Sequence, residues 1–149
     1  KGEKTMIQRC TKERRKELES YFEERFGIPS SVFARWSWYE SDRGRIFLGP
    51  ADVPGGGAVG VGLPACRIGR TIKPSAALLQ LLGRHVTKNA LSLTADDASR
   101  YINGQNLTVR AHDGVVAVCY RGACLGSGTV RQGMLKPLLP KAHRLNAKL

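Results

Sequence analysis

Residues 114–144, GVVAVCYRGACLGSGTVRQGMLKPLLPKAHR, restrict what this chain can fold into more than any other stretch. Apolar runs of three to six residues are cut by Gly122, Gly126, Gly128 and Gly133. No run is long enough for a packed helix, and the spacing suits short strands joined by tight turns, a small β-module. The block holds no acidic residue, while Arg121, Arg131, Lys136, Lys141 and Arg144 punctuate it. A surface charged with one sign does nothing for folding, and it is what a polyanionic partner requires.

The rest of the chain sharpens that asymmetry. Of 149 residues 42% are hydrophobic, enough for a packed core, and the formal net charge is +12. Residues 1–52 carry 11 Lys/Arg against 9 Asp/Glu, whereas residues 53–149 carry 13 against 3 (Asp96, Asp97 and Asp113). Nucleic acid is the first expected partner and an anionic membrane surface the second. No run of about 18 apolar residues occurs, and the N-terminal stretch lacks the apolar segment of a secretory signal, so a cytoplasmic protein with no membrane partner is expected. Cys10, Cys66, Cys119 and Cys124 form no C-x-x-C pair. They read as buried or half-buried thiols rather than metal ligands or a disulfide, although Cys119 and Cys124 flank one hairpin turn.

Along the chain, residues 11–27 predict an amphipathic helix with Thr11 as N-cap, Gly27 as stop and an apolar stripe of Leu18, Tyr21, Phe22 and Phe26. Residues 30–53 are aromatic and strand-rich. Trp36 and Trp38 share one face of a strand there, and we read them as core rather than as a stacking platform for unpaired bases beside Arg35, Arg43 and Arg45. The stretch 54–62, PGGGAVGVG, formally contains G-x-G-x-x-G but opens no helix. It reads as a linker rather than a dinucleotide fingerprint. Downstream, a strand over 65–72 leads to a helix with Pro74 at its first position, a Leu78, Leu81, Leu82 stripe and Gly83 at its end. A strand over 90–93 precedes a helix capped by Thr94 with Asp97 three residues on, and strands follow over 107–110, 115–120, 125–130 and 134–138. The expected fold class is α+β: a small N-terminal α/β unit over 1–53, then over 63–149 a closed or nearly closed mixed β-barrel with two short helices.

Catalytic chemistry is not expected. His85, His112 and His143 are isolated, no G-x-S-x-G elbow occurs, and the three acids of the basic part form no general acid/base pair. Neither metal nor cofactor is expected. What remains is binding: glycines 122, 126, 128 and 133 would let backbone N–H groups approach phosphate, while Arg121 and Arg131 give forked contacts and Lys136 and Lys141 single ones.

Two blocks carry a family resemblance. Tyr120-Arg121-Gly122, 125–130 (LGSGTV), 133–136 (GMLK) and 139–144 (LPKAHR) resemble the closing segment of the PUA-like domain of RsmF-type rRNA cytosine-C5 methyltransferases. Residues 73–78 (KPSAAL) are similar to the stretch that opens that domain's first helix. The resemblance covers about 63–145 and implies an RNA-binding module without the catalytic domain, since residues 1–62 are too few to hold S-adenosylmethionine. The candidate RNA-binding residues are Arg70, Lys73, Arg84, Arg121, Gly122, Gly126, Gly128, Arg131, Lys136, Lys141 and Arg144. The implied partner is structured RNA, rRNA or tRNA, and through it the ribosome. Two other possibilities stand beside this one: an RNA-docking subunit or fragment of a modification enzyme, and a protein adaptor anchored by Phe33, Trp36 and Trp38.

Overall fold

A computed structural model describes residues 7–51 and 62–139. Most of the expected glycine linker, together with Lys141 and Arg144, lies outside these described residues.

The N-terminal helix α1 (Lys12–Phe26) forms for the reasons its sequence gives. The Thr11 hydroxyl accepts from the Arg14 N–H at 3.0 Å, and Gly27, at φ 73°, turns the chain out of the helix while its N–H bonds to the Glu23 carbonyl. Leu18, Phe22 and Phe26 are fully buried. They meet an antiparallel sheet of β1 (Ile7–Arg9), β2 (Trp36–Ser41), β3 (Arg45–Pro50), β4 (Leu63–Ile68) and β5 (Ile72–Pro74), which pair in chain order. Trp38 is interior, stacked on Phe22 at 6.0 Å and tilted against Phe33 at 5.0 Å, and its indole N–H donates to Glu19 at 3.0 Å. Trp36 is half-buried against the same core. The aromatic cluster is therefore core, and Phe33 and Trp38 are not available as surface anchors.

The second sheet contains β6 (Ala90–Ser92), β7 (Leu107–Thr108), β8 (Gly114–Tyr120), β9 (Ala123–Arg131) and β10 (Met134–Pro137) in the order β6-β8-β9-β10-β7. Only β6 and β8 run parallel. The sheet curls into a half-barrel with β6 and β7 as its two edges, giving a PUA-like α+β fold. Helices α2 (Ala76–Leu82) and α3 (Ala95–Ile102) complete it; the Thr94 hydroxyl caps α3 by accepting from the Asp97 N–H. Strand β8 explains its own unbroken apolar run. Val115 and Ala117 face the core shared with α1, while Val116 and Val118 face a second core with Tyr101, Leu107 and Leu135. A strand covered on both faces needs no polar alternation.

Several local expectations change. Residues 63–74, expected to open the barrel, instead extend the first sheet, because β4 pairs with β3 and β5 with β4. Pro74 ends β5, and Ser75 caps α2 by accepting from the Leu78 N–H at 2.9 Å. The buried stripe of α2 is Leu78, Leu79 and Leu82, and Leu81 is 50% exposed. Helix α2 starts two residues later than expected, and its packing against both β4 and β9 selects its inward face. As expected, α2 ends at Gly83, which is its C-cap, but at φ −56° the chain continues into a 3₁₀ turn instead of turning left-handed, and the missing side chain makes room for Cys124 Sγ, which lies 2.9 Å from where a Cβ would sit. The strand expected over 107–110 shortens to Leu107–Thr108.

Candidate functional site

Cross-strand register brings together three cations that are far apart in sequence. Arg45 on β3 lies opposite Arg67 on β4, and Arg67 lies opposite Lys73 on β5. All three are exposed. Directly paired residues sit roughly 5 Å apart at Cβ and share a face, so like charges in register repel. No described residue forms an ion pair with any of the three. This like-charge ladder costs stability in the free protein, and it is the arrangement that a row of phosphates would neutralise.

The ladder borders a groove of about 620 Å³ whose far wall comes from the second sheet. Lys136 on β10 supplies a fourth cation there, followed by Pro137, Leu138 and Leu139. Among the described residues no acidic side chain lines the groove. Cys66 lies in its wall, but burial pushes that thiol up to about 12, so it is neutral at physiological pH and is no nucleophile. Lys73 also borders two neighbouring depressions: one with Arg67, Gly69 and Arg70 at the β4–β5 turn, and one of about 460 Å³ with Arg25, Thr129 and Arg131. Within the latter, Arg25 Nε donates to the Val115 carbonyl at 2.7 Å, while its buried Nη2 has no partner. Arg70, Lys73, Arg131 and Lys136 therefore line adjoining depressions that meet at Lys73 along the seam between the sheets, with Asp113 as an acid beside Arg131.

The seam is held by a small polar knot. The Ser127 hydroxyl, fully buried on β9, donates to the Pro74 carbonyl at 3.1 Å. The Ser127 carbonyl accepts from the Tyr101 hydroxyl at 2.7 Å and from the Leu138 N–H at 3.0 Å. One residue thus ties β5, α3 and the segment after β10 together, so the groove walls are positioned before any ligand arrives.

The other expected residues separate from this surface. Arg121 and Gly122 form the tight β8–β9 turn, both with positive φ (51° and 81°), the pairing that a two-residue hairpin loop needs. The Arg121 guanidinium lies 5.4 Å from the Tyr120 ring centre. Arg84 sits nearby in the 3₁₀ turn beside Cys124, its Nε 3.4 Å from His85. Eight residues of β9 separate that turn from Arg131, about 27 Å along an extended strand. Arg84, Arg121 and Gly122 therefore make a second, smaller basic patch at the opposite end.

Gly126 and Gly128, expected to admit phosphate, are buried. A Cβ on Gly126 would come 2.6 Å from the Tyr101 hydroxyl and 2.9 Å from Leu139, and one on Gly128 would come 2.5 Å from Leu135. Their bareness serves close packing of α3 and β10 against β9, not a ligand. Arg45 entered the sequence reading only beside the disfavoured stacking platform and Arg67 was not among the expected RNA-binding residues, because the two stand in segments assigned to different units and strand register joins them.

Among the described residues no three His, Cys, Asp or Glu side chains gather as metal ligands, and no helix is long and apolar enough to cross a membrane. Comparison with known proteins gives two family matches. Residues 88–145 match the model described as the methyltransferase RsmF PUA domain, and residues 2–61 match a family of unknown function, DUF7122. Neither matched model is described as a catalytic domain. No curated protein matches the chain. The first match begins two residues before β6, so it covers the second sheet and leaves α2 and the first sheet outside.

Proposed function

We propose, because residues 88–145 are a PUA-like domain of the RsmF type, that this is a non-catalytic RNA-binding protein acting on structured RNA, with rRNA and the ribosome as its setting. The observation that carries the reading is the Arg45–Arg67–Lys73 ladder with Lys136 across the groove: four cations around one groove that no described acid lines. A-form RNA is recognised largely through phosphates and 2′-hydroxyls, and a preorganised cationic seam supplies the phosphate part of that recognition. The same reading covers a cytoplasmic location, which suits four cysteines that form no disulfide.

The test is a titration of a fluorescent structured rRNA fragment across a salt series. Log affinity should fall steeply with log salt, and Lys73→Ala with Lys136→Ala should flatten the slope by about 2. Arg84→Ala with Arg121→Ala should flatten it less, because those residues lie at the far end of β9. Absence of RNA affinity at low salt, or equal affinity for DNA and RNA duplexes, overturns the proposal.

A second reading follows from the matched domain being a methyltransferase module on a chain whose other match is of unknown function. In it the protein docks RNA for a separate methyltransferase. Copurification of a methyltransferase with the tagged protein, and loss of C5 methylation in its absence, would favour that reading over the first.

A further inference from the structure

The floor of the seam groove has a chemistry that a duplex does not need. Half-buried Phe47 on β3 and exposed Pro64 on β4 form its first-sheet side, and Pro137 and Leu138 form the other. Proline contributes no N–H donor, so much of this floor offers flat apolar contact and few hydrogen-bond donors. The rim carries Arg45, Arg67, Lys73 and Lys136. A duplex presents phosphates and sugars on a convex surface and would meet the rim alone, leaving the apolar floor dry and unused. An unpaired nucleotide presents both features, a flat base face and a charged phosphate. The groove volume of about 620 Å³ falls within the roughly 300–1,000 Å³ of small-molecule sites.

We propose that this groove receives an unpaired nucleotide of the bound RNA, its base lying on Phe47, Pro64 and the half-buried Leu138 that follows buried Pro137, and its flanking phosphates between Arg67, Lys73 and Lys136. The inference rests on the RNA-binding reading and adds two things to it. It specifies a single-stranded element beside the structured one. It also gives the first sheet a function: Arg45 and Phe47 lie within the stretch matched only by a family of unknown function, yet they line the site. Base discrimination is expected to be weak, since stacking accepts any base and the prolines remove backbone donors.

The experiment titrates the full chain with three RNA hairpins sharing one stem. The first is blunt, the second carries a four-nucleotide unpaired 3′ tail, and the third carries the same tail as abasic sugar-phosphate. The tailed hairpin should bind at least tenfold tighter than the blunt one, and the abasic tail should lose most of that gain despite equal charge. Ultraviolet crosslinks from the tail should map to the peptides containing Phe47 and Pro137. Arg67→Gln with Lys136→Ala, both exposed positions, should cut the tail preference below threefold, whereas Arg84→Ala with Arg121→Ala should leave it. Equal affinity for tailed and blunt hairpins, full retention by the abasic tail, or crosslinks confined to the Arg84–Arg121 end would overturn this inference while leaving RNA binding intact. Failure of all three RNAs to bind would overturn both.

Discussion

Arg67→Gln isolates the central member of the cation ladder and should move stability and RNA affinity in opposite directions. Arg67 has a like charge directly across from it on each side, Arg45 and Lys73, and no described acid pairs with it. A like-charge cross-strand pair costs roughly 0.2–1 kcal/mol, so removing two should stabilise the free protein by about 0.5–1.5 kcal/mol at low salt. For a chain of this size that is about 1–5 °C in melting temperature. At 1 M salt the screening length of about 3 Å is shorter than the separation of the charges, and the gain should vanish. The same substitution removes one phosphate contact. It should weaken RNA several-fold at low salt and lower the salt slope by about 1. The assays are thermal denaturation without RNA at about 20 mM and 1 M salt, and anisotropy titration across a salt series. If the variant is destabilised equally at both salts, the ladder is not under repulsion. If it is stabilised but binds RNA unchanged, the ladder is not the RNA contact. A gain in stability coupled to a loss in binding is the signature of a surface kept for a ligand at the fold's expense.

Gly126→Ala should destabilise by about 1–3 kcal/mol in chemical denaturation, because its Cβ would press on Tyr101 and Leu139 inside the second core; an unchanged midpoint would refute the packing role. Alkylation of the native protein near pH 8 should reach Cys119 first, since it is half-exposed and a hydrogen bond from Cys124 across the β8–β9 pair, 3.0 Å away, lowers its pKa. Cys10 and Cys66, held up to about 12 chiefly by burial, should react only on unfolding, and mass-spectrometric peptide mapping decides between these outcomes. Burial also raises the Tyr21 and Tyr101 phenols, so the folded state favours their neutral forms. Their contribution should be complete below about pH 10, the unfolded value, and should decline as pH climbs above it; denaturation midpoints across that range that stay flat would contradict the assignment.

Local structure was legible wherever a short-range signal governs it. Thr11, Gly27, Thr94 and Asp97 predicted three helix boundaries correctly, because a cap is decided within four residues. The β8–β9–β10 meander was readable from glycine spacing, since its turns are two residues long. The first sheet's extent was not. Its third and fourth strands are separated by residues 51–62, and a glycine-rich stretch there looked like a boundary when strand pairing continues across it. Helix α2 was mis-phased for a related reason: Leu78, Leu79, Leu81 and Leu82 offer several apolar stripes, and only contact with β4 and β9 selects which leucine faces out.

The sequence by itself determined that the basic charge is concentrated after residue 53, that the chain has enough apolar content for a core, and that its closing strands belong to a PUA-like module; these depend on residue identity and short spacing alone. Tertiary structure decided which basic residues lie together. Arg45, Arg67, Lys73 and Lys136 become one site through strand register and through Ser127 tying the sheets, whereas Arg121 and Arg131, close in sequence, are held at opposite ends of β9. It also turned Gly126 and Gly128 from ligand contacts into packing contacts, because whether a bare backbone meets solvent or a neighbouring side chain depends on residues far away in the chain.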